Sequence, residues 1–157
     1  MRRLLKLLHT IATAGIMGGG AALAALALLA PQAMATGGYA ALAVGMAKIA
    51  AWVIAPSMLL VIVTGLLAMV VTPAFQNAGW VWAKAATGIL VFQAGVHVLG
   101  PLQGEAERSA LGLGGAGAAA SRALLSATVN TLWVLLAVAV ANIGLAIWRP
   151  RFFKPPA

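Results

Sequence analysis

The stretch AAWVIAPSMLLVIVTGLLAMVV, residues Ala50 to Val71, decides the fold because its 22 residues carry no charged side chain. A helix needs about 20 apolar residues to cross the hydrocarbon core of a bilayer. Three further charge-free stretches, 7–47, 85–104 and 123–148, are long enough to do the same. The sequence therefore predicts an all-α, polytopic membrane protein, a bundle of four transmembrane helices forming a single domain over residues 1–157.

Composition supports a membrane protein and excludes several other classes. Of 157 residues, 63% are hydrophobic and 8% are charged, with a mean hydropathy of +1.03, whereas soluble domains carry roughly 25% charged residues. The net charge of +8 comes from cations beside the spans and not from a basic stripe with interleaved aromatics, so no nucleic-acid partner is expected. Because the chain has no cysteine, disulfides, thiolate metal sites and cysteine nucleophiles are excluded.

Span boundaries follow from the prolines and glycines. We expect spans at about 4–29, 50–71, 80–99 and 125–148, with residues 103–122 as the one sizeable extramembrane loop. Residues 39–49 are expected to form a surface lead-in, with the Lys48 ammonium at the interface. The N-terminal segment is expected to be a retained span and not a cleaved signal. The expected breaks are Pro31 with Gly37-Gly38, a kink at Pro56, the end of the third span at Gly100-Pro101, and Arg149-Pro150-Arg151 after the fourth.

Charge asymmetry predicts the orientation. Six of the ten cations flank the outer ends of the first and last spans, and an even number of spans puts both ends on one side. Cytoplasmic segments of membrane proteins carry the excess of Lys and Arg. Both termini are therefore predicted to be cytoplasmic, in a multi-pass protein of the bacterial inner membrane.

Few residues could carry chemistry. Neither a buried carboxylate pair nor a Ser-His-Asp or nucleotide-binding motif is present. His9 and Lys84 are expected at the same cytoplasmic depth, which with Trp82 makes a polar cluster that suits an anionic lipid headgroup or a heme propionate. The alternatives are an interfacial histidine hydrogen-bonded to backbone or lipid, and a lysine that reaches the interface beside belt tryptophans.

The other polar residues of the spans have structural interpretations. His97 is expected near the opposite end of the third span, roughly 22 Å from His9 along the membrane normal at 1.5 Å per residue, which is too far for both to ligate one iron. It is predicted to hydrogen-bond a helix-end carbonyl or loop water near Gly100-Pro101. The remaining amides are expected to join helices by hydrogen bonds: Gln93, Asn130 and Asn142.

Gly15 and Gly19 lie four residues apart on one face of the first helix. This spacing lets a neighbouring helix backbone approach closely. Two interpretations stay open, a contact within the four-helix bundle or a contact with another subunit.

Three motifs together resemble a known group of proteins: LLKLLHT with His9 before a glycine-rich helix, WVWAK from Trp80 to Lys84, and IWRPR from Ile147 to Arg151. They look like a group of uncharacterised bacterial four-helix membrane proteins. More distantly, they are similar to the CopD copper-resistance and HemJ-type protoporphyrinogen oxidase families. The resemblance to the heme-carrying HemJ type implies heme b as cofactor, with His9 as ligand and Lys84 as an essential cation.

Three function hypotheses follow, in order. The first is a non-enzymatic small integral-membrane accessory or structural subunit, whose partners are membrane lipid and other membrane protein subunits or a second copy. The second is a heme-binding redox or heme-handling membrane protein that uses His9 and Lys84. The third is a small-solute or metal transporter, which ranks last because permeation needs more polar groups along a path.

Overall fold

The computed structural model describes residues 2–76, 78–111 and 118–148, so Arg149-Pro150-Arg151 and the glycine-rich run 112–117 lie outside the described residues. Within the described residues, every regular element is helical. Four segments are long and apolar enough to cross a membrane, and we name them the first to fourth spans: Arg3–Met34, Tyr39–Val71, Gly79–Ala110 and Ser121–Leu145. The predicted all-helical chain with four candidate spans is confirmed. The elements are α1 (Arg2–Thr36), α2 (Tyr39–Ile49), a π-helical segment (Ala50–Ile54), α3 (Ala55–Val71), α4 (Pro73–Gln76), α5 (Gly79–Ala110) and α6 (Ala118–Trp148).

The four spans form a square bundle in which each span packs against two neighbours. The first and third spans each contact the second and the fourth. The largest fully buried side chains are Leu23, Met46 and Leu132, from the first, second and fourth spans. The apolar interior between the spans leaves a cavity of only about 20 Å³. The centre of the bundle is therefore a closed apolar core.

The first helix is longer than expected. α1 continues through Pro31 to Thr36, so the predicted end near residue 29 is wrong. The helix stops at Gly37, whose φ of 77° is the left-handed conformation that favours glycine. The Gly38 N–H donates to the Ala33 carbonyl at 2.9 Å, as in a Schellman C-cap. Spans tolerate an internal proline because neighbouring helices satisfy the freed backbone groups.

The second span is one continuous helical segment. Tyr39, Ala43 and Met46 are buried in the core, so residues 39–49 pack inside the bundle and are not a surface lead-in. A π-helical segment, Ala50–Ile54, lies directly before Ala55-Pro56. Because proline has no N–H, it cannot donate to the carbonyl four residues earlier, and a wider turn there accommodates the loss.

The third span passes through the expected break. α5 runs through Gly100-Pro101 to Ala110, so the predicted end at residue 99 is wrong. Of the predicted loop 103–122, residues 103–110 and 118–122 are helical instead. The buried face of α5 simply continues beyond the proline, with Val98, Leu102 and Ala106 in contact with the interior. Burial of this face outweighs the single backbone hydrogen bond that Pro101 removes.

Side-chain contacts fix the relative depth of the spans. Gly95 packs against the Met58 side chain, which places these two residues at one level. Lys48 lies ten residues from this level on the second span, and Lys84 lies eleven residues from it on the third, toward the other end of the bundle. At 1.5 Å per residue the layer between the two lysines is ~32 Å thick. That thickness matches the hydrocarbon core of a bilayer, with Met58 and Gly95 near its middle.

Candidate functional site

His9 joins the first and second spans. Its Nδ1 lies 3.0 Å from Thr64 Oγ1. The Thr64 hydroxyl has one hydrogen and lies 2.6 Å from the Leu60 carbonyl, so Thr64 donates to Leu60 and accepts from His9 Nδ1–H. In the neutral ring this arrangement leaves the lone pair on Nε2. His9 is thus an interhelical contact whose ring orientation is fixed by Thr64.

Lys84 lies near His9. The half-buried Lys84 ammonium is within electrostatic range of the His9 imidazole. By the register of the bundle, Lys84 lies ~8 Å farther from the midplane than His9, a distance that its long side chain can partly cover. The structure therefore places His9 and Lys84 at the same end of the bundle, and the polar cluster that they would form with Trp82 stays a prediction.

Trp82 has a different neighbour. Its indole Nε1 donates to the Gln76 carbonyl at 2.9 Å, and the residue is 57% exposed. The bond ties α5 to the end of α4, across the short connection between the second and third spans. Trp82 therefore stabilises this connection, and its described hydrogen bond does not involve His9 or Lys84.

A second interhelical hydrogen bond lies at the same end of the bundle. The Thr87 hydroxyl donates to Asn142 Oδ1 at 2.8 Å, and Asn142 Nδ2 donates to the Val138 carbonyl at 3.1 Å. Asn142 therefore joins the third and fourth spans, as the sequence predicted for this amide. Asn130, in contrast, is exposed on the fourth span, so its prediction as an interhelical contact is wrong for this chain's own helices.

A buried polar cluster closes the opposite end of the bundle. Glu105 Oε2 accepts from Arg108 Nη2 at 2.6 Å, and Glu105 Oε1 accepts from the Ser121 hydroxyl at 2.7 Å. The Tyr39 hydroxyl hydrogen-bonds the same carboxylate. The Glu105 side chain is 5% exposed, while its ion-pair partner Arg108 is 59% exposed. One carboxylate thus holds the second, third and fourth spans together.

Sequence reasoning missed this cluster because it placed Glu105 in an extramembrane loop. The signal was present in the spacing of Val98, Leu102, Glu105 and Ser109, which recur every three or four residues and are all buried. Such a period marks one face of a helix. The Ser109 hydroxyl, one turn beyond Glu105, is buried without a hydrogen-bond partner in the described part of the chain.

His97 lies on the outer surface of the bundle, close to the level of Met58 and Gly95. It is two residues from Gly95 and ~12 Å in depth from His9, less than the predicted separation and still too far for one iron. Its Nε2 lies 3.3 Å from Gln93 Nε2, and both side chains are exposed. Because Gly100-Pro101 is not a helix end, the predicted bond from His97 to a helix-end carbonyl is wrong. Gln93 also faces outward instead of joining helices of this chain.

The glycine face of the first span is occupied inside the bundle. A β-carbon on Gly15 would overlap the Ser57 side chain, and one on Gly19 would lie 2.7 Å from Ile54 Cγ1. The second span therefore packs directly on both glycines. Of the two interpretations left open by the sequence, the contact within the bundle is the one observed, and this face is not open to another subunit.

Among the described residues, neither a metal-binding cluster nor a cavity large enough for a buried cofactor is found. Among them, no group of three or more His, Cys, Asp or Glu residues could hold a metal ion. The interior cavity of about 20 Å³ is apolar, lined by residues such as Leu23, Met58 and Leu132, and has room for about one water molecule. A porphyrin does not fit between the four spans.

No protein-family model, curated protein or solved structure matches this chain. The resemblance to the CopD and HemJ-type families therefore stays a prediction based on a few residues.

Proposed function

We propose that this protein is a small integral-membrane subunit that functions by assembly, packing against a partner in the membrane through the outer face of its third span. The observation that carries this proposal is the hydrogen-bonded pair Gln93 and His97, exposed at the level of the bilayer midplane. Amide and imidazole groups are costly to expose to lipid, and such side chains commonly bond across helix interfaces. A partner helix would satisfy them.

Two backbone features of the same face support the proposal. Pro101 has no N–H, so the His97 carbonyl lacks its usual helical donor. Gly100 and Gly104 follow on the same face, and a β-carbon on either would meet nothing within 4 Å. Glycines at this spacing let a second helix approach closely. A donor from that helix could bond the His97 carbonyl.

The partner favoured by this chemistry is a second copy of the chain. Gln93 and His97 each offer a donor and an acceptor, so a two-fold axis along the membrane normal would pair the same residues of two copies at the same depth. A different membrane protein is the alternative partner, and the experiment below separates the two.

The test uses single cysteines, since the chain has none of its own. Ile89→Cys places a thiol one helical turn from Gln93 on the same exposed face. In native membranes, oxidation should give a disulfide-linked dimer of twice 15.8 kDa. The matched controls are Leu59→Cys on the second span and Val134→Cys on the fourth, whose residues are exposed to a similar extent.

A dimer that forms at Ile89→Cys and at neither control supports the proposal. Equal cross-linking at all three positions would indicate random collision, and cross-linking at Val134→Cys alone would move the interface to the fourth span. If Ile89→Cys gives no dimer but reacts more slowly with a lipid-soluble maleimide than both control cysteines do, a different protein covers the face. If it reacts freely, the face is not an assembly surface.

We also propose that both termini are cytoplasmic and that the protein resides in the bacterial inner membrane. The support is the excess of cations at the end of the bundle that holds the N-terminus, including Arg3 and Lys6. A cysteine at Leu4 should be protected from a membrane-impermeant maleimide in intact cells, while one at Leu111 should react. The reverse labelling would contradict this orientation.

Heme binding through His9 is the second candidate function. The observation in its favour is the fixed His9 ring, whose Nδ1–H bond to Thr64 resembles the outer-shell bond that orients a metal-ligating histidine. Since the closed interior excludes a porphyrin, a heme would have to bind at the outer surface beside His9, with Lys84 available to a propionate. A Soret band on hemin addition that is shifted from the band of free hemin in the same detergent, and whose shift is lost in His9→Leu and kept in His97→Leu, would support this candidate. Absence of the shift in the unmodified protein would contradict it.

A further inference from the structure

An open groove lies between the second and third spans on the membrane-facing surface, at the end of the bundle that holds Glu105. Its volume is about 230 Å³. The walls are apolar and include Ala47 and Ala106, while three polar side chains line the same space. The polar side chains are those of Lys48, Gln103 and Glu107, and Trp52 also lines the groove.

The two charged groups of this groove are not paired with each other. Lys48 and Glu107 line one groove and are both exposed, yet the ion pair found in the described part of the chain is Arg108–Glu105. A groove that offers an ammonium and a carboxylate which do not form an ion pair suits a ligand that carries both a negative and a positive charge. Gln103 adds an amide that can donate and accept hydrogen bonds.

We propose that this groove binds the headgroup of a zwitterionic phospholipid with a primary ammonium, of the phosphatidylethanolamine class. The Lys48 ammonium contacts the phosphate, and the Glu107 carboxylate accepts hydrogen bonds from the ethanolamine ammonium. The acyl chains then follow the apolar surface of the second and third spans toward the midplane.

The depth of the groove matches a headgroup. Lys48 lies ~15 Å from the level of Met58 along the second span, which is the edge of the hydrocarbon core. Trp52 is 81% exposed beside it, and tryptophan side chains concentrate at this interface. A free phosphate or a soluble zwitterion would leave the apolar walls of the groove uncovered.

The charges also distinguish between headgroups. A primary ammonium donates up to three hydrogen bonds to Glu107, whereas the trimethylammonium of phosphatidylcholine donates none. Phosphatidylglycerol offers Lys48 a phosphate but leaves the Glu107 carboxylate without a cation. The groove is therefore expected to prefer phosphatidylethanolamine to both.

The experiment is native mass spectrometry of the full chain, purified in detergent and stripped of lipid. Equal amounts of phosphatidylethanolamine, phosphatidylcholine and phosphatidylglycerol with the same acyl chains are added, and the affinity of each is measured. We expect phosphatidylethanolamine to bind most tightly to the unmodified protein. Lys48→Gln and Glu107→Gln should each weaken that binding by about tenfold, the effect of one lost charge-assisted hydrogen bond.

Arg122→Gln is the matched control, because Arg122 is an exposed cation at the same end of the bundle that does not line the groove. It should leave the binding of phosphatidylethanolamine unchanged. Ala51→Phe should block the groove without removing a charge and should weaken binding of all three lipids. Circular dichroism of each variant checks that it is folded.

Three results would overturn the proposal. The first is that phosphatidylglycerol binds as tightly as phosphatidylethanolamine, and that Lys48→Gln and Arg122→Gln weaken its binding equally. That result would show that anionic lipid is attracted to any cation at this end of the bundle. Phosphatidylcholine that binds as tightly as phosphatidylethanolamine would remove the role of Glu107. Non-additive effects of Lys48→Gln and Glu107→Gln on the melting temperature in lipid-free detergent would show that the two residues pair with each other. Glu107 lies on the same face of α5 as Gln93 and Gly104, so the lipid affinities are compared in the monomer peaks of the spectra, which keeps these readouts separate from assembly through the Gln93 face.

Discussion

The Glu105 carboxylate accepts a hydrogen bond from the Ser121 hydroxyl at 2.7 Å, which joins the third span to the fourth at a buried position. The Tyr39 hydroxyl bonds the same carboxylate from the second span. At the other end of the bundle, His9 bonds Thr64 and Thr87 bonds Asn142. The apolar interior is thus bounded at both ends by interhelical hydrogen bonds, which fix the relative depth of helices that apolar packing alone would allow to slide.

Replacing the buried carboxylate should destabilise the protein. Glu105→Gln removes the negative charge that pairs with Arg108. It also replaces one acceptor oxygen with an NH2 group that faces the donor of Arg108 or of Ser121. We expect a loss of about 1–3 kcal/mol in the free energy of unfolding, measured by denaturant titration in lipid-free detergent. Glu107→Gln is the matched control, since the second acid is exposed and lies outside the cluster. Equal stability of the two variants would contradict the structural role of Glu105.

Enlarging the glycines of the first span should disrupt the fold and not the assembly. Gly15→Leu and Gly19→Leu each place atoms where Ser57 or Ile54 already lies, and overpacking of this kind costs about 1–3 kcal/mol. Gly18→Leu is the control, because nothing lies within 4 Å of the position of its β-carbon. Melting temperatures should fall for the first two variants alone. Unchanged melting with loss of the cross-linked Ile89→Cys dimer would show instead that the glycine face contacts another subunit.

The four spans were predictable because each charge-free stretch is long enough to cross a bilayer, a constraint that depends on composition alone. The ends of the helices were not. In the sequence, Pro31 and Pro101 each suggest the end of a helix, but both lie inside helices. The first helix ends instead at Gly37, which has a positive φ. Whether a proline ends a helix depends on the surface that its neighbours bury, which the local sequence does not contain.

The site was predictable to a similar extent. His9 and Lys84 could be assigned to one end of the bundle by counting residues along predicted spans. The partner of His9 could not be predicted, because Thr64 is one of several hydroxyl residues in the spans. Only the rotation of the second span about its axis, which the sequence does not give, places Thr64 beside His9. Glu105 was misplaced because the third span was predicted to end at residue 99, whereas the helix and its buried face continue to Ala110.

The bond between His9 and Thr64 should contribute modestly to stability. Interhelical hydrogen bonds in membrane proteins average about 0.6 kcal/mol in double-mutant cycles, so His9→Leu and Thr64→Val should show a coupling of about that size. The free energies of unfolding of the two single variants and the double variant supply the cycle. Thr10→Val is the control, because the Thr10 hydroxyl bonds only its own helix, at the Lys6 carbonyl. A coupling of zero would mean that the two side chains do not bond in the membrane.

Removing the exposed polar pair should abolish assembly and leave the monomer folded. In the double variant Gln93→Leu, His97→Leu, the outer face of the third span is apolar and packs against lipid as favourably as against a partner. The hydrogen bonds that favour association are then lost. We expect the Ile89→Cys dimer to decrease at least about tenfold, a loss of roughly 1.4 kcal/mol, while the melting temperature of the monomer in detergent stays unchanged. Asn130→Leu is the control, since Asn130 is also an exposed amide but lies on the fourth span. If Asn130→Leu removes the dimer and the double variant keeps it, the partner contacts the fourth span and the role assigned to Gln93 and His97 is wrong.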